Sequence, residues 1–218
     1  MHKIDLHTHS IASKDGGINA DQYAHVISEN IIDVIAITDH NRIDFAKHMQ
    51  TQLGDRIIVG EEIMTTVGEI IGLYLTERIK PGLSPVETIE QIKLQGGLVY
   101  IPHPFESVRK GLHPAVLEEL VQYVDIIEVC NGRAFLQNRG AQAVIWSKLN
   151  HIVGVASSDA HGPRGLGSTY TQIKSLPGKD TLISELAHGI PVTNRPSVRA
   201  LLYPKYHRLR KKMNKGRK

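Results

Sequence analysis

The chain has 218 residues, 41% hydrophobic and 22% charged, enough for one sizeable core and in the range of globular proteins. No apolar run reaches the roughly 20 residues that cross a bilayer. Asp5, His7 and His9 interrupt any leader-like start, and a single cysteine, Cys130, excludes an internal disulfide and points to a reducing cytoplasm. The net charge of +4 is uneven: eight of the 26 Lys and Arg lie between Lys205 and Lys218 with no acid among them, leaving 18 against 22 acidic residues elsewhere.

In chain order, Lys3-Ile4-Asp5-Leu6-His7-Thr8 reads as a buried strand over 3–8, and Asp21 to Asn30 as a helix with Tyr23, Val26 and Ile27 on one side. Short β-branched runs at 33–38, 56–61 and 69–75 follow. The tight Thr65-Thr66-Val67-Gly68 connection makes a hairpin of 56–63 and 69–75. Ser84-Pro85 starts a helix to Gln95, with Ser at the N-cap, Pro at N1, Glu87 at N3 and Gly96-Gly97 as the stop. A strand at 98–101, a helix from His113-Pro114 to Tyr123 and a strand at 126–130 come next. Then follow a helix from Ala134 to Leu149, a strand at 152–157, a helix from Lys179 to His188 and a strand at 190–193. Such alternation makes a mostly parallel sheet with helices outside it. It predicts one domain over 1–200 and a basic tail over 201–218, whose cationic part, 205–218, is either a solvated terminus or a surface for nucleic acid.

Five of these strands end in metal-binding residue types. His7 and His9 close the first, on one face and roughly 7 Å apart along an extended strand. His40 follows the second, Glu62 the third, His103 the fifth, and Asp159 with His161 the seventh. Chemistry in α/β barrels gathers at the C-terminal ends of strands. Imidazole and carboxylate suit Zn²⁺, Mn²⁺ and Fe²⁺. With Asp15 from a Gly-rich loop the set exceeds what one ion uses, so two or three divalent ions are expected, with Glu62 bridging. Asp5, on the face of His7, is expected to orient a ligand imidazole through its other ring nitrogen, and Asp39 to be a structural acid. His2, His25, His48, His113, His151, His188 and His207 read as ordinary.

Taken together, Asp5-Leu6-His7-Thr8-His9-Ser10, Thr38-Asp39-His40, Pro102-His103-Pro104 and Ser158-Asp159-Ala160-His161 resemble, in order, the four motifs of the PHP (polymerase and histidinol phosphatase) family. The resemblance runs from residue 1 to about 195. It implies a distorted (β/α)7 TIM-like barrel with a multi-metal phosphoesterase centre at the strand C-termini. Carried over residue by residue, it implies one ion on His7, His9, Glu62 and Asp159, a second on Asp15, His40 and His161, and a third by Glu62 and His103. Where relatives often supply another histidine on the hairpin strand, this chain has Glu69, a harder ligand that favours manganese over zinc or leaves the third ion loosely held.

A phosphate ester needs cations besides metals. Arg133, Arg164 and Arg109 are the guanidinium candidates, and Glu128 and Asn131 are expected to line the same mouth. The expected reaction is in-line attack on phosphorus by a metal-bridging hydroxide, with Asp159, His161, Arg133 and Arg164 acting on the substrate. No nucleophilic Ser or Cys motif and no P-loop is present. The substrate class is small phosphorylated metabolites, or nucleotides and short oligonucleotides. The alternatives are a nucleic-acid-associated nuclease or scaffold using the tail, a histidinol phosphatase, and a hydrolase of C–N bonds, for which no strand supplies a bridging lysine.

Overall fold

The computed structural model describes residues 1–134, 138–194 and 197–215, with side chains described as far as Leu209. Its strands are β1 (His2–Thr8), β2 (Val34–Ile37), β3 (Ile57–Met64), β4 (Glu69–Leu73), β5 (Leu98–Ile101), β6 (Ile126–Asn131), β7 (Val153–Ser157), β8 (Thr169–Ile173) and β9 (Ile190–Thr193). The helices are α1 (Ala20–Ser28), α2 (Asp44–Leu53), α3 (Pro85–Leu94), α4 (Pro114–Leu120), α5 (Gly140–Leu149), α6 (Leu182–Ala187) and α7 (Val198–Lys215).

One sheet carries the strands in the order β7-β6-β5-β4-β3-β2-β1-β8-β9. Pairing is parallel except at β4, antiparallel to β3 and β5, and at β8, antiparallel to β1 and β9. The sheet curls until its ends meet: Thr8 bridges Ala160, and the His9 N–H donates to the Ala160 carbonyl over 2.8 Å. Below that contact β8 fills the gap, its Thr171 hydroxyl accepting from Ala156 N (2.9 Å) and donating to Ala156 O (3.1 Å). The outcome is a nearly closed, distorted TIM-like barrel.

Alternation along each strand sorts the apolar residues into two layers. Ile4, Leu6, Val34, Ala36, Ile58, Tyr100, Ile126 and Val155 fill the barrel interior. Ile35, Ile37, Val59, Val99, Ile101 and Ile127 face outward against Met49, Ile92, Leu117 and Trp146 of the helices. Each such side chain taken from water contributes about 1.5–3 kcal/mol. Leu182 and Leu186 of α6 join the inner layer beside Leu98 and Val153 at the strand starts, closing the end opposite the metal-binding residue types.

β1 breaks the alternation. Asp5 pairs with Ile35 and Thr8 with Ile37, so three residues of β1 oppose two of β2. This bulge turns both Leu6 and His7 inward, because the flanking Asp5 and Thr8 sit opposite outward-facing partners. Asp5 therefore does not share the face of His7.

The hairpin of β3 and β4 and the α3 cap agree with the sequence reading. Ser84 Oγ accepts from Glu87 N (3.3 Å), and Glu87 Oε2 accepts from Ser84 N (2.8 Å). Three elements differ. Helix α2 was not expected; no side chain caps its N-terminus, so the usual start signal is missing. Strand β8 was not expected either, although Thr169, Thr171 and Ile173 alternate as buried residues. Helix α5 begins at Gly140 rather than Ala134; residues 135–137 of the expected helix lie outside the described residues, and Asn138 and Arg139 are not helical. The segment read as a basic terminus continues as helix to Lys215, and residues 216–218 lie outside the described residues. No helix among the described residues is long and apolar enough to cross a membrane.

Candidate metal centre

At the C-terminal mouth of the barrel lies a cavity of about 920 Å³ whose lining includes Asp15, His40, Glu62, Glu69, His103, Asp159 and His161. His7 and His9 are fully buried beneath it. Four sets of donor atoms converge within 4.8 Å: His7, His9 and Asp159; His9, His40 and His161; His7, Glu62 and His103; and His40, Glu62 and Glu69. Glu62 sits at the middle. Its Oε1 is 3.4 Å from His7 Nε2 and 3.1 Å from His103 Nε2, and its Oε2 is 3.4 Å from His9 Nε2 and 2.9 Å from His40 Nδ1. Asp15 Oδ1 lies 3.5 Å from His40 Nε2 and 3.6 Å from His161 Nε2. Glu69 is buried, with its carboxylate 3.8 Å from His40 and 3.7 Å from His103. The structure thus brings together every metal-ligand candidate of the sequence.

Backbone strain aims two of them. His103 (φ 30°) and Asp159 (φ 49°) hold left-handed backbone just past their strands, a conformation costing about 1–3 kcal/mol for such residues. Around the donors stands a layer of buried carboxylates and hydroxyls. Glu128 is 3.2 Å from His7 Nδ1, and accepts from Tyr100 Oη (2.8 Å), His103 N (2.7 Å) and Asn131 Nδ2 (2.8 Å). Glu128 and Asn131, expected to line the mouth, instead lie buried below it, because Glu128 points inward with Ile126. Asp39 accepts from Ser10 Oγ (2.5 Å) and Ser13 Oγ (2.6 Å), and Ser13 Oγ lies 3.3 Å from His9 Nδ1. Asp5, expected to hold a ligand imidazole, accepts from Ser158 N (3.0 Å) and Oγ (2.5 Å), as its outward side of the bulge requires.

The electrostatics are those of a crowded anionic site. Burial pushes Glu69 up to about 9, helped by repulsion from Glu62. Against a burial effect that lowers it, Glu62 and Asp15 raise His40 to about 9. Burial, with Arg133 and His9 beside it, pushes His161 down to about 3, so its imidazole is neutral. Asp159 is held well below the carboxylate range by Arg133 and His7 in spite of burial. The donor set fits divalent ions. Glu62 Oε2 and Asp15 Oδ1 are buried without a hydrogen-bond partner, and the Nε2 atoms of His7 and His9 face each other at 3.1 Å, where only one can donate.

The arginines divide. Arg109 forks onto Glu106 (2.9 and 2.7 Å) and reaches Asp159 Oδ2 (3.0 Å). Arg133 contacts Asp159 Oδ1 (3.3 Å) and His161 Nδ1 (3.1 Å). Both line the cavity, whereas Arg164 is exposed on a 3₁₀ turn, Pro163–Gly165, away from that lining. The Glu106 brace of Arg109 was not anticipated; its signal, an acid three residues before Arg109, is common in loops without meaning.

Comparison with known proteins agrees with this architecture. A family model described as PHP-associated matches residues 138–190. An uncharacterized protein of Methanocaldococcus jannaschii is 38% identical over 156 residues, covering 66% of this chain and 91% of that protein. A two-domain protein from Bacteroides vulgatus, containing what is called a predicted PHP-like metal-dependent phosphoesterase, superposes with TM-score 0.72 and 19% identity over 95% of this chain and 69% of its own. An amidohydrolase from Chromobacterium violaceum, solved with bound sulfate and no metal, gives TM-score 0.62 and 16% identity over 86% of this chain and 97% of its own.

Proposed function

Because the chain belongs to the PHP family, we propose that it is a hydrolase of phosphate esters, acting on small phosphorylated metabolites or on nucleotides and short oligonucleotides through two or three divalent ions. The observation that carries this reading is the meeting of four overlapping donor sets, two of them sharing Glu62, at one open cavity. His7, His9, Glu62 and Asp159 would hold one ion, Asp15, His40 and His161 a second, and Glu62, His103 and Glu69 a third. Manganese, zinc and iron suit such mixed nitrogen and oxygen donors. Bound ions would supply Lewis acidity and lower the pKa of water.

The chain's own residues do the rest. Glu128 keeps the His7 proton on Nδ1, which leaves Nε2 as a lone-pair donor. Neutral His161 is likewise ready to donate a lone pair. Asp159 stays ionised, so its Oδ1 can accept a proton-bearing bond from the nucleophilic water. Arg109 and Arg133, already converging on Asp159, are placed to neutralise phosphoryl oxygens that arrive beside it.

Replacing His7 and His9 together by Ala tests the reading. Bound metal, measured by elemental analysis, and hydrolysis of an aryl phosphate should fall together, by more than the roughly 10–100-fold that losing an outer partner costs. Full activity in that double variant would sink the enzyme assignment. A screen of aryl phosphates, mononucleotides, short RNA, histidinol phosphate and simple amides then separates the substrate classes; turnover of amides alone would favour C–N cleavage.

A further inference from the structure

Helix α7 is built onto the site rather than hanging from it. Tyr203 rests on two glycines: a Cβ on Gly162 would lie 2.7 Å from Tyr203 Cγ, and one on Gly17 would lie 2.5 Å from Tyr203 Oη. Those glycines flank Asp15 and His161, and the Gly17 N–H donates to the His161 carbonyl over 2.8 Å. Tyr203 also stacks on His207, with ring centroids 5.5 Å apart and 17° between planes, and Pro204 is buried. So seated, the helix brings Leu201, Leu202, Pro204, Lys205 and Arg208 into the wall of the same cavity as the metal-ligand candidates.

The cations of this wall differ from those at the floor. Arg109 and Arg133 are committed to Asp159, Glu106 and His161. On the outer wall, Arg208 makes its one ion pair among the described residues with Asp15, at 3.8 Å, and its side chain is 49% exposed. Lys14, from the loop that carries Asp15, and Lys205 are exposed and form no ion pair among the described residues. A volume of about 920 Å³ is that of a pocket for a whole ligand, far beyond one phosphoryl group.

We propose that Lys14, Lys205 and Arg208 form a second anion subsite at the outer wall, so that the preferred substrate is a small phosphate ester carrying a second anionic group at its far end. The proposal rests on the phosphoesterase reading for the inner end of the cavity. A small molecule is favoured over a nucleic-acid strand because the α7 wall is aliphatic. None of the residues that α7 brings to the cavity is aromatic, and Tyr203 is spent on the glycine seat, so the wall offers no face for base stacking. A phosphate and a carboxylate share the chemistry that Arg and Lys recognise.

The test uses the metal-loaded full chain and matched esters: alkyl monophosphates, ω-phosphoalkanoates and alkanediol bisphosphates of two to six carbons. The wild type should prefer at least one doubly anionic series by tenfold or more in kcat/KM, mainly through KM. In the Lys205→Gln/Arg208→Gln variant that preference ratio should fall at least tenfold and should lose its dependence on salt. Which series is preferred tells phosphate from carboxylate. The same tether lengths as alkyl phosphonates and alkylene bisphosphonates are titrated calorimetrically. If no ester is hydrolysed, the phosphoesterase reading fails, and loss of bisphosphonate binding in the variant still supports the subsite. Equal handling of singly and doubly anionic compounds by the wild type overturns it. So does an unchanged ratio in a variant whose circular dichroism and melting match the wild type. A variant that fails to fold is replaced by Lys14→Gln with Lys205→Gln, for which the same ratio is decisive. Preference for short RNA over every small ester would overturn the small-molecule assignment.

Discussion

Glu128 illustrates how one side chain governs others it does not resemble. It binds the far nitrogen of His7, the backbone N–H of His103 and the hydroxyl of Tyr100, so it fixes two donors of the proposed centre without facing the cavity. Glu128→Gln preserves the shape and removes the charge. We expect metal affinity to fall roughly 10–100-fold, as for other outer partners of ligand histidines, with KM for an aryl phosphate at saturating metal little changed. Competition with a chelating dye measures the affinity. Unaltered metal binding would mean that packing against Tyr100 positions His7 without the Glu128 charge. From the residues, Glu128 was visible as an acid at a strand end. Whether it faced the mouth or the floor was not, because that depends on the inward turn of β6 and on Tyr100 arriving from β5.

At the level of elements, the segments that could be read were those whose chemistry is local. The hairpin turn, the Ser84 cap and the runs ending in His, Asp or Glu each announce themselves within a few residues. Helix α2 has no such cap, and β8 owes its place to pairing with β1 and to Thr171 clasping Ala156, contacts made across long stretches of sequence. Helix α7 is a similar case: a run of Lys and Arg reads as solvated unless one knows that Tyr203 has a seat. Gly162 has extended backbone (φ −152°), which any residue adopts, so Gly162→Val acts through the seat alone. It should displace Tyr203 and strip hydrogen-exchange protection from the amides of α7. Tyr203→Ala alone should do the same, and the two together should be no worse than either. Additive losses would place the anchor elsewhere.

The whole molecule holds an unusual concentration of buried charge at one end of its barrel. Glu62, Glu69, Glu128 and Asp159 are buried within one site; burial keeps Glu69 protonated, and a cationic His40 offsets part of the charge on the others. Ions that bind only the folded state would replace that makeshift neutrality. At a thousandfold excess over Kd one ion adds about 4 kcal/mol, which for a chain of this size is roughly 10 °C in Tm. Chelation should therefore lower Tm by about that much, and Mn²⁺, Zn²⁺ or Fe²⁺ should restore it in order of affinity. A melting curve indifferent to chelator would argue that the cluster is structural and metal-free. The barrel itself was legible from strand–helix alternation; its near-closure was not, since the seam depends on Thr8 meeting Ala160.

The extra residue in β1 carries one last consequence, for how this chain tolerates changes of length. In a strand, losing one position normally exchanges its two faces. Here Leu6 and His7 both point inward, one supplying apolar volume and the other a donor atom. Remove any single residue from Asp5 to Thr8 and the strand regains strict parity. Then either an imidazole or a leucine must vacate the interior. The opening strand should thus accept many substitutions yet no one-residue deletion, the reverse of the pattern in the surface loops. A deletion scan read by recovered folded protein would reveal this as a sharp gap a few codons wide.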